Sequence, residues 1–223
     1  MAGSLRALRD VSAGGWILQD PAPAALRARV GPSGFEAYVR VLHRPGGDGE
    51  RQEGHLDDAL LAALVDDLAA HTTTPDDCYF ALWEGYGDIH GGEAASFLTA
   101  FAGPPLWPGR IFTKPKPAAP PPPAFAPAIM DGPLLAVGGE EYFLFAGPLA
   151  DAGRWGAASY GGGAPRDINS PNLMWPADRA WFVTTNIEGT WTGVGGSGRL
   201  IDALLRDPRL EVVRQRYDEG TLR

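Results

Sequence analysis

"TWTGVGGSGRLIDALL", residues 190–205, places Gly193, Gly195 and Gly198 at the G-x-G-x-x-G spacing of a dinucleotide-binding turn. The fold class depends on whether these glycines cradle a phosphate or serve a hairpin. A dinucleotide fingerprint needs a parallel βαβ unit, an acidic residue at the far end of its second strand and a further large stretch of doubly wound sheet. Here only residues 199–223 follow Gly198, and Glu211 stands at the beginning of any following strand. A P-loop fails as well, because no Lys-Ser/Thr follows the glycines. The apolar run just before, "RAWFVTTNIE" (179–188), is separated from 190–196 by little more than Gly189, so the two segments are expected to pair as a β-hairpin. Ser197 then reads as the N-cap of a helix over 198–206, with Leu200, Ile201, Leu204 and Leu205 inward and Asp207-Pro208 ending it. A generic anion site at that helix N-terminus is the one phosphate role left open.

Outward from this hairpin, the other strands are legible by period. Residues 35–44, "FEAYVRVLHR", alternate Phe35, Ala37, Val39 and Val41 against Glu36, Tyr38 and Arg40, the pattern of a half-buried strand. "CYFALW" (78–83) and "EYFLFAG" (141–147) are continuous apolar runs, as in strands covered on both faces. A closing strand is expected at 210–216. "LDDALLAALVDDLAAH" (56–71) sets Leu56, Leu60, Leu61, Leu64, Val65 and Leu68 on one helical stripe, with Asp57 and Asp58 in a first turn where the helix dipole favours them. Many strands and few helices predict a single α+β domain with a largely antiparallel sheet and long Pro/Gly-rich loops. The proline-dense segment 114–127 is expected to be an extended, solvated loop or linker, and 150–177 a second long irregular region.

The 223 residues suffice for a sizeable core, and 44% hydrophobic against 21% charged residues is the balance of a folded protein rather than a disordered one. A net charge of −8 argues against nucleic-acid partners and anionic membranes, which are held by Lys and Arg, and leaves a basic protein partner or a neutral ligand as the easier match. Cys78 is the single cysteine, so no internal disulfide forms; within an apolar run it reads as a structural thiol. No apolar stretch has the length of a signal-peptide core or a membrane span, and the expected location is cytoplasmic.

His43, His55, His71 and His90 stand at no recognised metal-ligand spacing. "EGYGDIHGGE" (84–93) gathers Glu84, Asp88, His90 and Glu93 in a Gly-rich loop, but a solvated turn is the commoner meaning of such a cluster. No metal or other cofactor is expected, and no nucleophile is identifiable: G-x-S-x-G is absent and Cys78 has no nearby histidine to activate it. Seven tryptophans are the unusual feature. Trp83 and Trp181 belong to apolar strands, whereas Trp107, Trp155 and Trp175 lie in loops, where an indole either caps the sheet or lines a recognition surface. Trp83, Glu84, Tyr86, Trp175 and Arg179 are therefore the candidate binding residues, grouped around the 150–177 region.

The stretch "SPNLMWPADRAWFVTTNIEGTWTGVGGSGRLIDALLRDPRLE" (170–211), with "CYFALWEGYG" (78–87), resembles a group of uncharacterised proteins common in high-GC actinobacteria. The order Trp-Pro, strand, hairpin, Gly-Ser turn and short helix over about 40 residues of its tail is also similar to SUKH-type immunity proteins, which are α+β toxin-neutralising modules. The chain departs from that pattern by its proline-dense insertion and by the lack of an opening helix and Leu-Pro strand, so no functional residue carries over. The expectation is a non-enzymatic protein-interaction module, immunity-like; the alternative is a small-molecule binder or enzyme with an aromatic-lined pocket.

Overall fold

The computed structural model describes residues 5–46, 49–91, 121–160, 165–166 and 168–218. Nine strands form one sheet: β1 (Arg6–Ala7), β2 (Ala37–Leu42), β3 (Cys78–Trp83), β4 (Leu135–Val137), β5 (Glu140–Gly147), β6 (Leu173–Pro176), β7 (Trp181–Thr185), β8 (Trp191–Gly196) and β9 (Val212–Gln215). Their spatial order is β1-β5-β3-β6-β7-β8-β2-β9, with β4 also on β5. Each of the eight pairings is antiparallel, so the chain is a single α+β domain with an antiparallel sheet.

The expected hairpin of 179–196 is β7–β8, in register from Trp181↔Gly196 to Thr185↔Thr192. The strands expected at 78–83 and 141–147 lie side by side as β3 and β5, and the closing strand is β9 on the outer edge of β2. Three strands were not expected from sequence: the short β1 and β4, and β6 in the middle of the sheet. "LMWP" lies inside the region expected to be irregular, yet it pairs with β3 from Leu173↔Ala81 to Pro176↔Cys78 and with β7. Proline stands at its last residue, where the missing ladder donor matters least.

Period 2 divides the side chains between two layers. Val39, Val41, Phe80, Leu82, Phe143, Phe145, Trp181, Val183 and Val194 form one face of the core. It is covered by α3 (Asp58–Ala69), through Leu60, Leu61, Leu64 and Leu68, and by α6 (Gly198–Leu204), through Leu200, Ile201 and Leu204. The one-turn helices α4 (Gly87–His90) and α5 (Pro127–Met130) come between them in sequence. Asp57 is the N-cap of α3 rather than part of its first turn, its carboxylate accepting from the N–H groups of Ala59 and Leu60 at 3.0 Å each. The opposite face carries Ala81, Leu144, Trp175 and Phe182, covered by the N-terminal segment through Ile17 of α1 (Gly15–Leu18), while α2 (Ala24–Arg29) adds Leu26 beside Val30 and Tyr38.

Residues 114–120 lie outside the described part. The end of the proline-dense segment that is described is not a solvated strand of polyproline: Ala124 and Phe125 are buried, and the Phe125 ring packs on Phe143 and Phe145 at centroid distances of 6.1 and 5.3 Å. Ala124 bonds through its backbone to Ile89 and Ala158. Pro121 is buried as well, while Pro122 and Pro123 are exposed, so the aromatic ring that follows supplies most of the segment's burial.

Candidate functional site

The glycine motif resolves at the β8–α6 junction. β8 lies between β7 and β2, and its glycines make room for side chains above the sheet: a Cβ on Gly195 would stand 2.7 Å from the Tyr38 ring and 2.8 Å from Phe35. Ser197 caps α6, its Oγ accepting from Leu200 N–H at 3.3 Å. The first free N–H of the helix is also taken, because Gly198 N–H donates to Glu36 Oε2 at 2.8 Å. The chain's own carboxylate occupies the position a phosphate would need. Ser197→Ala is expected to cost about 1 kcal/mol of stability. ATP, GTP, NAD and NADP at millimolar concentration are expected to leave the melting temperature unchanged, since a ligand bound well below its concentration would raise it by mass action. Thermal unfolding of both proteins, with and without nucleotide, checks both statements.

The five candidate binding residues fall into two separate groups. At one end of β3, Trp83 Nε1 donates to Glu140 Oε2 at 2.7 Å, and the Trp83 ring meets Tyr86 edge-on at 5.1 Å. Glu84 turns to His90, whose Nε2 lies 2.7 Å from the Glu84 carbonyl and 3.0 Å from its carboxylate. Trp175 is at the other end. It is opposite Tyr79 in the β3–β6 register, four residues back from Trp83, or about 13 Å along a strand. Trp175 is 1% exposed, stacked between Tyr79 at 5.5 Å and Phe182 at 5.9 Å, with Trp16 edge-on at 6.5 Å. Arg179 lies outside this stack with its guanidinium 5.2 Å from the centroid of Trp16. It occupies the β6–β7 turn in the left-handed region at φ 55°, unusual for a non-glycine residue. None of the hollows described below is lined by any of these five residues. Trp155 is likewise core, its Nε1 donating to Asn169 O at 2.9 Å; Trp107 and Glu93 lie outside the described residues. Trp175 is therefore corrected from a loop aromatic to a buried strand residue, while Trp155, in irregular chain as expected, takes the sheet-capping role against Phe145, because an indole that has its donor satisfied, or is stacked on both faces, is worth more buried than exposed.

Sequence reasoning missed a buried polar network at the Trp83 end of the sheet. Asn172, fully buried, accepts from Trp83 N–H at 2.8 Å through Oδ1 and donates through Nδ2 to Tyr86 Oη at 2.8 Å and Thr185 O at 3.3 Å. Tyr86 O–H donates in turn to Gly54 O at 3.1 Å, and burial raises its pKa. Beside it, His43 is 1% exposed, with Nδ1 2.7 Å from Gln52 O and Nε2 2.9 Å from Thr192 Oγ1, which is 2.8 Å from Thr185 Oγ1. A carbonyl cannot donate, so in the neutral ring Nδ1 carries the proton and Nε2 accepts from Thr192. His43 and Thr192 are 149 residues apart, and no local spacing announces such a pair. Their arrangement, hydroxyl to imidazole to carbonyl, has the order of an activated nucleophile, but Thr192 is fully buried and no reactant can reach it. Cys78 is equally inert: burial pushes its thiol up to about 12. Among the described residues no three His, Cys, Asp or Glu side chains are grouped to hold a metal ion.

The network carries a pH dependence with a definite sign. Burial, the largest influence, depresses the His43 pKa below its ordinary 6.5, against the bond to Gln52 that favours the charged ring. Between that lowered value and 6.5 the unfolded chain binds the proton that the folded chain refuses, so stability falls as pH drops below about 6.5, by at most about 1.4 kcal/mol per pH unit from this one group. Urea unfolding over that range is expected to show the slope, and His43→Asn to flatten it even if the variant starts less stable.

The concave surfaces are open. One of about 500 Å3 runs beside α3, with Leu61, Val65, Leu149 and Ile168 as its apolar floor and Asp58 and Asp66 on its rim. Among the described residues no helix is long and apolar enough to cross a membrane. No family model, no curated protein and no solved structure matches the chain.

Proposed function

We propose that the protein is a non-enzymatic interaction module, immunity-like in holding a protein partner in the cytoplasm, and that the partner is basic. The observation that carries this reading is the groove beside α3. It is apolar at its floor, acidic at its rim and unenclosed, the form of a surface for another macromolecule rather than of a reaction chamber. Asp66 is already paired with Arg209 at 2.6 Å and Arg154 with Asp151 at 2.9 Å, which leaves Asp58 on the first turn of the helix to meet a cation. The net charge of −8 adds a long-range attraction for a basic surface. The His43–Thr192 pair, the one arrangement with the order of an activated nucleophile, is buried away from any reactant, which weighs against the alternative. The experiment is affinity capture from cells that make the protein, comparing it with Asp58→Lys/Ala62→Arg. Both residues are exposed on α3, so the variant should keep its fold by circular dichroism. A partner held by the parent protein and lost by the variant supports the assignment. Capture of the same proteins by both, or of none above background, overturns it.

A further inference from the structure

On the opposite side of the sheet from α3, two connected hollows of about 240 and 270 Å3 share Arg29, Asn186 and Glu188. Their walls come from α2, the β7–β8 turn and the start of β5. Arg29 is the unusual member. Among the described residues five arginines are half-buried: Arg27, Arg29, Arg40, Arg51 and Arg166. Arg27 donates to the carbonyls of Asp20 and Ala22, Arg51 pairs with Glu211, Arg166 donates to Ala158 O, and Arg40 lies 4.4 Å from the centroid of Trp191. Arg29 alone has no such partner in the described part of the structure.

Its backbone is nonetheless fixed. Thr184 Oγ1 donates to Ala28 O at 2.7 Å, and the absence of a side chain on Gly193 lets the Arg29 carbonyl sit where a Cβ would come within 3.1 Å. A rigid base with a free guanidinium is a preorganised anion anchor.

Around it the donors converge. Asn186 Oδ1 is used by Glu188 N–H at 3.0 Å, so its amide NH2 is spare among the described residues, as is the Thr190 hydroxyl. Trp191 supplies an aromatic wall, held in place by Arg40 on one side and Gly193 on the other. The one exposed acceptor in the same hollow is the Glu188 carboxylate. A guanidinium, an amide and a hydroxyl suit a carboxylate, and a carboxylate lining the same hollow suits an ammonium group.

We propose that this hollow binds a small zwitterion of amino-acid size, its carboxylate on Arg29 and its amino group on Glu188, with the side chain against Trp191. The site is separate from the α3 groove and stands or falls independently of the protein-binding role.

The test is a calorimetric titration of the full chain with the common free amino acids, each beside its N-acetyl and carboxamide derivative. Saturable binding of at least one free amino acid is expected. Either derivative should bind at least about tenfold more weakly, as should the amino acid itself to Arg29→Leu. Arg29→Leu should leave the melting temperature unchanged because no internal contact is lost. In Glu188→Gln the penalty for N-acetylation should disappear. No saturable binding by any of the free amino acids, binding indifferent to Arg29→Leu, or an N-acetyl form that binds the parent protein as well as the free amino acid overturns the assignment.

Discussion

Trp181→Ala is expected to remove about 3–5 kcal/mol of stability, a large share of the roughly 5–15 kcal/mol that holds a domain together. Trp181 is fully buried on β7 where the sheet meets both α3 and α6, so truncation empties the site on which both helices rest. The ring also has a polar duty: Nε1–H donates at 3.1 Å to Leu68 O, a carbonyl near the end of α3 that also accepts from His71 N–H at 3.1 Å. Trp181→Phe refills most of the volume and loses only that bond, and a cost of about 1–2 kcal/mol is expected. Urea unfolding checks both, through midpoints that move in that order with unchanged m-values. Equal costs for the two variants would mean that the bond, rather than the packed volume, holds the helix.

The second large effect is expected at Asn172. β6 proper begins at Leu173, and Asn172 extends the ladder by one step with its side chain. Its N–H donates to Ala81 O at 2.9 Å, its Oδ1 receives Trp83 N–H, and its own carbonyl receives Thr185 N–H at 2.7 Å. Asn172→Leu keeps the volume but strands Trp83 N–H and takes one donor from Tyr86 Oη, at a position that is itself fully buried. Each stranded group costs about 1–3 kcal/mol, for a total of about 3 kcal/mol. Asn172→Asp restores the acceptor for Trp83 while placing a carboxylate against Thr185 O and Tyr86 Oη. Its destabilisation should shrink as pH falls and the buried acid takes up a proton that can serve as donor. Equilibrium unfolding of both variants at several pH values separates lost volume from lost hydrogen bonds.

These two positions also mark what a sequence can and cannot reveal here. Trp181 was legible as core because it stands in a run of apolar residues long enough to declare a strand, as were β3, β5, the β7–β8 hairpin, α3 and α6. β6 was not, because four residues containing a proline carry no measurable period, and what makes them a strand is the presence of β3 and β7 on either side. Trp175 was misplaced for that reason: in a loop an indole is a candidate surface, but between Tyr79 and Phe182 it is core. The hydrogen-bonded set of His43, Asn172, Thr185 and Thr192 leaves no mark in the sequence, since single polar residues within apolar strands look like imperfections of pattern until their partners are known. The Arg29 hollow is equally silent. An arginine near a helix end is ordinary, and only the lack of a partner among the described residues sets it apart.

The position of β2 has a consequence for synthesis. Residues 37–42 lie between β8 and β9, both made about 150 or more residues later, so on the ribosome this strand waits unpaired on both edges while nearly the whole chain is produced. The stretch from β3 to β6 can assemble its own ladders in the meantime, whereas β2 has no ladder partner until β8 emerges and keeps an open edge until β9 does. Closing such distant contacts is slow and leaves apolar edges exposed during the wait. The protein's yield in a cell therefore depends less on how stable the finished sheet is than on how well one early strand is shielded before its neighbours exist.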